Sequence, residues 1–240
     1  MNVSLSPAAL RLDHARHALR RASALIFDVD GTLAETEEAH RQAFNDTFAA
    51  AGLGWHWDHA TYLRLLKVTG GKERMAAFAA ETGSGPRPDI VAALHRAKTA
   101  RYAEILGNGG LKLRPGVQRV MDEGRAAGLR IAVATTTSPG NVAALAQAIW
   151  RRPATEIFDV IAAGDEVKRK KPDPAVYLLA LDRLGLTAAE ALAFEDSRNG
   201  VVAAKAAGLR VIAAPSIFTA GDDLSAADSL LPDLSTFRLP

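Results

Sequence analysis

The stretch Ala24-Leu25-Ile26-Phe27-Asp28-Val29-Asp30-Gly31-Thr32 constrains this chain more than any other. A short continuous apolar run bounded by a turn signal reads as a strand buried on both faces, as in a parallel sheet. This one ends in two carboxylates one residue apart. Side chains alternate along an extended backbone, so Asp28 and Asp30 leave on the same side, and Gly31 marks a tight turn behind them. Two like charges held that close need a cation, a shared proton or a substrate proton between them.

From Thr36 the period becomes helical. Ala39, Ala43, Phe44, Thr47, Phe48 and Ala51 share one face, Glu37, Glu38, Arg41, Gln42, Asn45 and Asp46 the other, and Gly52 is a stop. Further helices are expected over 58–67, 72–82 and 88–106, broken by Gly70-Gly71 and Gly83-Ser84-Gly85-Pro86, with no strand signal between them. After Arg114-Pro115-Gly116 helices at 117–127, 141–150, 174–184 and 199–207 alternate with strands at 130–134, 158–162, 191–194 and 210–214. Strict alternation implies an α/β fold, a doubly wound parallel sheet with helices on both faces. The first strand joins that sheet, so the expected organisation is a core of residues 23–35 and 111–240 carrying an all-helical cap, 36–110. Residues 1–22 form an extension that is Arg-rich and acid-poor, with Arg11, Arg16, Arg20 and Arg21 against Asp13. It reads as a disordered or docked helical segment, with a transit peptide as the alternative.

Composition removes whole classes of function. Lys and Arg number 29 against 27 Asp and Glu, a net charge of +2 with the cations scattered, so neither nucleic acid nor membrane is the expected partner. No run approaches the roughly 18 apolar residues of a membrane span. The absence of cysteine excludes disulfides and a thiol nucleophile and suits a reducing, cytoplasmic setting. A monomer is expected.

In doubly wound sheets ligands bind beyond the carboxyl ends of the strands. The first strand ends in Asp28-Val29-Asp30, the second in Thr135-Thr136-Thr137-Ser138, the third precedes Lys168-Arg169-Lys170-Lys171-Pro172, and the fourth ends in Glu195-Asp196-Ser197. Acids, hydroxyls and a base thus converge on one edge. Asp28, Asp30 and Asp196 offer hard oxygens, which suit Mg²⁺ rather than zinc. Thr135 and the N–H groups after it, Thr136 included, can hold phosphate oxygens, and Lys171 can neutralise charge between phosphate and carboxylate. Asp28 then serves as nucleophile and Asp30 as proton donor and later base.

Phe27-Asp28-Val29-Asp30-Gly31-Thr32-Leu33, Thr135, Lys171-Pro172 and Glu195-Asp196-Ser197 resemble the four ordered motifs of the haloacid dehalogenase superfamily, in its phosphatase and phosphomutase branch. The resemblance implies a Rossmann-like core, an aspartyl-phosphate on Asp28, acid and base catalysis by Asp30, whose backbone carbonyl also reaches Mg²⁺, metal ligation by Asp28 and Asp196, and an indirect role for Glu195. A helical cap at this place is similar to the subgroup of beta-phosphoglucomutase, phosphoglycolate phosphatase and the CbbY-type sugar bisphosphate phosphatases. Glu35-Thr36-Glu37-Glu38-Ala39-His40-Arg41 and Thr69-Gly70-Gly71-Lys72-Glu73-Arg74 most resemble the CbbY type. That likeness implies a phosphorylated sugar as the small-molecule substrate, xylulose 1,5-bisphosphate, an inhibitor of Rubisco. A sugar phosphomutase and a phosphoglycolate phosphatase are the alternatives, since the cap decides whether water or a sugar hydroxyl attacks the intermediate. A phosphonatase would need a cap lysine, Lys67 or Lys72, as a Schiff base. A silent sugar-phosphate sensor would not need the complete set of catalytic residues.

The cap residues carry two readings each. Lys72 and Arg74, at a helix start behind two glycines, are the cations for a second phosphate or a solvated helix terminus. His40 contacts the sugar or second phosphate, or simply packs; Glu35 accepts sugar hydroxyls, or is a solvated linker acid. Trp55-His56-Trp57-Asp58-His59 reads as cap core, and Lys168, Arg169 and Lys170 as solvated charge.

Overall fold

The structure, a computed structural model, describes residues 22–83 and 85–239. Six parallel strands, β1 (Ala24–Phe27), β2 (Arg130–Thr135), β3 (Val160–Ala163), β4 (Ala191–Glu195), β5 (Arg210–Ala213) and β6 (Ser229–Leu230), form one sheet in the order β3-β2-β1-β4-β5-β6. Helices α1 (Glu37–Ala50), α2 (His59–Leu65), α3 (Gly71–Thr82) and α4 (Pro88–Gly107) are inserted between β1 and β2. The helices α5 (Val117–Ala126), α6 (Pro139–Trp150), α7 (Ala154–Ile157), α8 (Ala175–Leu184) and α9 (Arg198–Ala206) follow with the remaining strands. The fold is a doubly wound, Rossmann-like α/β core with a helical insert.

Register explains why β1 organises the site. Phe27 stands level with Val133 of β2 and with Phe194 of β4, against whose ring it stacks at 4.5 Å. The chain runs from β1 outward to β3, then returns to β4 and runs outward the other way. The crevice at that reversal is where such sheets bind ligands. Strand alternation sorts the side chains: Leu25 and Phe27 pack with Val120, Met121 and Leu145 on one face, Ala24 and Ile26 with Val176, Tyr177 and Val201 on the other. Asp28 therefore emerges on the side of α8.

The cap has its own core of Phe44, Phe48, Trp57, Tyr62, Leu65 and Met75. Trp57 is fully buried and its backbone is held by Asn45, which accepts from the Trp57 N–H at 2.8 Å and donates to its carbonyl at 2.9 Å. The aromatic run between α1 and α2 is thus structural.

Some local expectations were displaced. The strand expected at 158–162 forms at Val160–Ala163, because Ala154–Ile157 closes a helical turn onto which the Phe158 N–H folds back. Asp159 then sits beside β2, its carboxylate accepting from the Ile131 N–H at 2.7 Å. On α1 the buried set contains His40, whereas Ala51 is exposed. Strand β6, two residues long, has no periodicity to betray it. Lys170, read as solvated, is pulled in by Asp165 at 2.9 Å and the Gly164 carbonyl at 2.5 Å. The extension at 1–22 lies outside the described residues apart from residue 22. No described helix is long and apolar enough to cross a membrane.

Candidate active site

Each acid stands where a strand runs out. The Asp28 N–H still donates to the Phe194 carbonyl at 3.0 Å, so Asp28 comes abreast of Glu195. Lys171 closes the gap: its Nζ donates to Asp28 Oδ1 and Glu195 Oε1, both at 2.6 Å. Glu195 also accepts from Tyr177 OH at 2.6 Å and from the Asp196 N–H at 3.2 Å, so both its oxygens are engaged. It lies against Gly200, where a Cβ would fall 2.0 Å from the carboxylate. Asp196 accepts from Thr219 Oγ1 at 3.1 Å and more loosely from Thr32 Oγ1 at 3.4 Å. Gly31 allows this approach: it turns at φ +82°, and a Cβ there would meet Asp196 Oδ2 at 2.2 Å.

Electrostatics shows what the cluster lacks. Burial raises the Asp28 carboxyl well above the ordinary range, opposed by Lys171 and reinforced by Glu195 and Asp196. Burial, then Glu195, pushes Asp196 up to about 8 despite hydrogen bonds from Ser216 and Thr219. For Lys171 burial disfavours the charge, but Asp28 and Glu195 outweigh it and raise the ammonium above its usual value. One ammonium among three buried acids leaves negative charge uncompensated. Carboxylate oxygens of Asp28, Glu195 and Asp196 all lie within 4.8 Å of one another. An all-oxygen, acid-rich set of this kind fits a hard divalent cation such as Mg²⁺. Both Glu195 oxygens are taken, one of them by the Lys171 ammonium, whereas Lys171 meets only Oδ1 of Asp28 and the side-chain partners of Asp196 are neutral hydroxyls, so Asp28 and Asp196 are the side chains that could turn an oxygen to a cation.

Asp30, expected to offer its carboxylate beside Asp28 to the same cation, instead turns toward the cap and stands outside the cluster of Asp28, Glu195 and Asp196, because Thr36 and His40 claim its Oδ1. Thr36 leaves its own helix uncapped and donates Oγ1 to Asp30 Oδ1 at 2.6 Å. His40 Nε2 lies 3.0 Å from the same oxygen, and Lys98 Nζ stands 2.5 Å from His40 Nδ1. The imidazole stacks on Tyr102 at 4.0 Å, and the Lys98 ammonium sits over the rings of Phe44 and Tyr102, at 4.6 and 5.2 Å. Burial works against ionisation of Asp30, but His40, Thr36 and Lys98 outweigh it and hold the carboxyl far below its usual range. Lys98 was missed at the level of sequence. Its spacing with Val91, Leu94 and Tyr102 along one apolar stripe of α4 is the signal that could have found it.

Burial lowers Lys98 from 10.5 to about 7, with Asp30 opposing. Its folded-state value is depressed, so its cost to stability is complete below about 7 and shrinks as the pH rises toward 10.5, where the unfolded lysine also deprotonates. Lys98→Met, which keeps the apolar stem, is expected to raise Tm at pH 7, to lose that gain toward pH 10, and to lower kcat by roughly 10- to 100-fold. Thermal unfolding across pH together with initial rates checks all three.

The other residues singled out divide sharply. Thr135 is buried, accepts from the Thr137 N–H at 3.2 Å, and with Thr136 lines the cleft between cap and core. That cleft, about 990 Å³, also receives Asp28, Asp30, His40, Lys171 and Asp196. Arg74 borders it but is buried and committed, donating to Tyr62 OH at 3.1 Å and the Leu65 carbonyl at 3.3 Å, because Tyr62 is anchored by Glu37. Lys72 does not line the cleft; it forms an ion pair across the cap–core boundary with Asp165. Glu35 pairs with Arg114 at 3.1 Å beside the cap junction.

An acid pair after the central strand β1, a hydroxyl at the end of β2, and a lysine joining the first acid to the glutamate that ends β4 define a hydrolase site under a cap. The family of haloacid dehalogenase-like hydrolases matches residues 22–208, and the chain belongs to it. Among its relatives is protein CbbY of Rhodobacter capsulatus, 60% identical over 212 residues that cover 88% of this chain and 93% of that protein. The crystal structure of CbbY from Rhodobacter sphaeroides in complex with phosphate superposes with a TM-score of 0.87 at 51% identity, covering 90% of this chain and 96% of that one. A mutant of that protein in complex with xylulose 1,5-bisphosphate gives the same values, a TM-score of 0.87, 51% identity, and coverage of 90% and 96%.

Proposed function

We propose that the chain is a Mg²⁺-dependent phosphatase of a small sugar bisphosphate, xylulose 1,5-bisphosphate, and so removes an inhibitor of Rubisco. The observation that carries this reading is Asp28, held through Oδ1 by Lys171 at the floor of a cap-covered cleft, in a chain half identical to a protein crystallised with that bisphosphate.

The chemistry follows from the residues. Asp28 attacks phosphorus as the bond from phosphorus to the sugar oxygen breaks, and the departing oxygen takes a proton from Asp30. Asp30 then takes a proton from water, which attacks the aspartyl-phosphate and returns Asp28. Thr135 and the N–H groups behind β2 hold phosphate oxygens, while Lys171 balances charge on Asp28 and the phosphoryl group. Without substrate Asp30 is held ionised; the arriving phosphate dianion raises its proton affinity by repulsion, and Asp30 takes from solvent the proton that it then gives to the departing oxygen. His40 and Lys98 orient its carboxylate from the cap side. Asp28, Asp196 and the Asp30 carbonyl would hold Mg²⁺, which when bound screens the charge between the acids and the phosphate.

For the second phosphate the cleft offers Lys67 and Arg198 at its mouth, and Lys72 can serve only by leaving Asp165. The test is phosphate release from a panel of sugar mono- and bisphosphates with Mg²⁺. Xylulose 1,5-bisphosphate is expected to give kcat/KM at least about 10-fold above both xylulose 1-phosphate and xylulose 5-phosphate, the equivalent of about 1.4 kcal/mol for the distal contact missing from whichever monophosphate keeps the reacting group. Equal values would remove the bisphosphate reading and leave a general phosphatase. Isomerisation without release of phosphate would make it a mutase.

A further inference from the structure

The loop after β5 touches both the acid cluster, through Thr219, and the apolar core of the cap, through Phe218. Residues 214–219 cross the carboxyl edge of the sheet, where Arg114 donates to the carbonyls of Ala214 at 2.8 Å and Pro215 at 2.6 Å. Within the loop, Thr219 Oγ1 accepts from the Ser216 N–H at 2.8 Å, which fixes the hydroxyl that reaches Asp196 Oδ2 at 3.1 Å. The Ile217 N–H donates to Glu35 Oε2 at 3.3 Å, tying the loop to the cap junction.

Phe218, between them in sequence, leaves the core altogether. It is buried and belongs to the apolar cluster of the cap, whereas its neighbour Ile217 is 72% exposed. Its ring meets Tyr62 edge-on at 5.9 Å and lies 4.8 Å from the ring of His59, both on α2. Tyr62 is a rigid seat, since its hydroxyl donates to Glu37 at 2.6 Å and accepts from Arg74 at 3.1 Å.

We propose that Phe218 is a positioning residue: its ring, seated in the cap, fixes Thr219 and through it the carboxylate of Asp196, so that docking of the cap and divalent-ion binding at Asp196 favour each other. The physical reason is reach. Phe218 and Thr219 are separated by one peptide unit inside a turn closed by hydrogen bonds, so the cap cannot lift without unseating the ring or dragging Thr219 from Asp196. Two sites that share one such element are coupled, and the coupling is reciprocal. The proposal rests on the reading of Asp196 as a metal ligand.

Mn²⁺ is the probe, titrated into the substrate-free full-length protein and followed by the electron paramagnetic resonance of the free ion. Phe218→Ala is expected to weaken Mn²⁺ binding about 5- to 10-fold, at the low end of coupling between sites, and Phe218→Tyr to restore it. Thr219→Ala should weaken binding too, and Phe218→Ala should then add no further loss, because the two act in series. Unchanged affinity in a folded Phe218→Ala protein, or losses that multiply in the double variant, overturn the proposal. Should Phe218→Ala fail to fold, Phe218→Leu, which keeps apolar bulk without the ring, decides by the same comparison. Wild-type protein that binds no Mn²⁺, or an Asp196→Asn variant that binds it equally well, overturns the metal reading and the coupling with it. An effect confined to Phe218 variants overturns the coupling alone.

Discussion

Asp28→Asn is expected to fold as the wild type does and to lose at least about 10³-fold in phosphate release, roughly 4 kcal/mol of transition-state stabilisation. The amide keeps the shape of the side chain and an oxygen for Lys171, but it is not a nucleophile that can carry the phosphoryl group. No neighbour takes over. Glu195 is tied down by Lys171 and Tyr177, and Asp30 is drawn toward His40 and Thr36. Stability should hold or rise, because the substitution removes one of three buried acids that share a single ammonium. Unfolding curves paired with phosphate-release rates check the prediction; turnover within a few-fold of wild type would end the covalent mechanism.

Lys171→Met should damage the protein in both respects. The ammonium is nearly inaccessible and bridges Asp28 and Glu195, so its removal leaves two buried carboxylates without a counter-charge. Breaking a buried pair in this way costs about 3–5 kcal/mol, which in a chain of this size lowers Tm by roughly 10 °C. The pH dependence has a definite sign. In the wild type the folded pKa of Lys171 is raised, so its contribution is complete below the unfolded value of 10.5 and is lost only as the pH rises through the higher folded value. Across the neutral range it is constant. In the variant, acid should relieve the deficit, since Asp28, already raised by burial, takes up a proton and the repulsion falls. Urea unfolding at pH 5 and pH 8 measures this; a deficit equal at the two values would contradict the electrostatic account. Activity should fall in parallel, because the phosphoryl group and Asp28 lose the charge that balances them.

The strands, most helices and the acids at the strand ends could be read locally. An apolar run, a turn glycine and a helical period each lie within a few residues of one another, and the same short range carries Asp28, Asp30, Thr135 and Asp196 to the edge of the sheet. The cap was harder for a physical reason: its cations are identical in composition whether they face a ligand or a neighbour. Arg74 has the position of an anion binder at a helix start, yet Tyr62 claims it; Lys72 has the same credentials, yet Asp165 lies opposite. Lys98 sits among apolar residues of α4 and declares its purpose only when His40 is seen against it. Phe218, carried by a core loop, belongs to the core of the cap.

By itself, then, the sequence determined the alternation of strands and helices and which chemical groups arrive at the carboxyl edge, because periodicity and turn chemistry are short-range. Only the tertiary structure decided which cation answers which acid: Lys171 lies 143 residues from Asp28, and Lys98 lies 58 from His40. It alone also decided their charge states, because the burial that raises Asp28 and lowers Lys98 exists only once sheet and cap have closed over them.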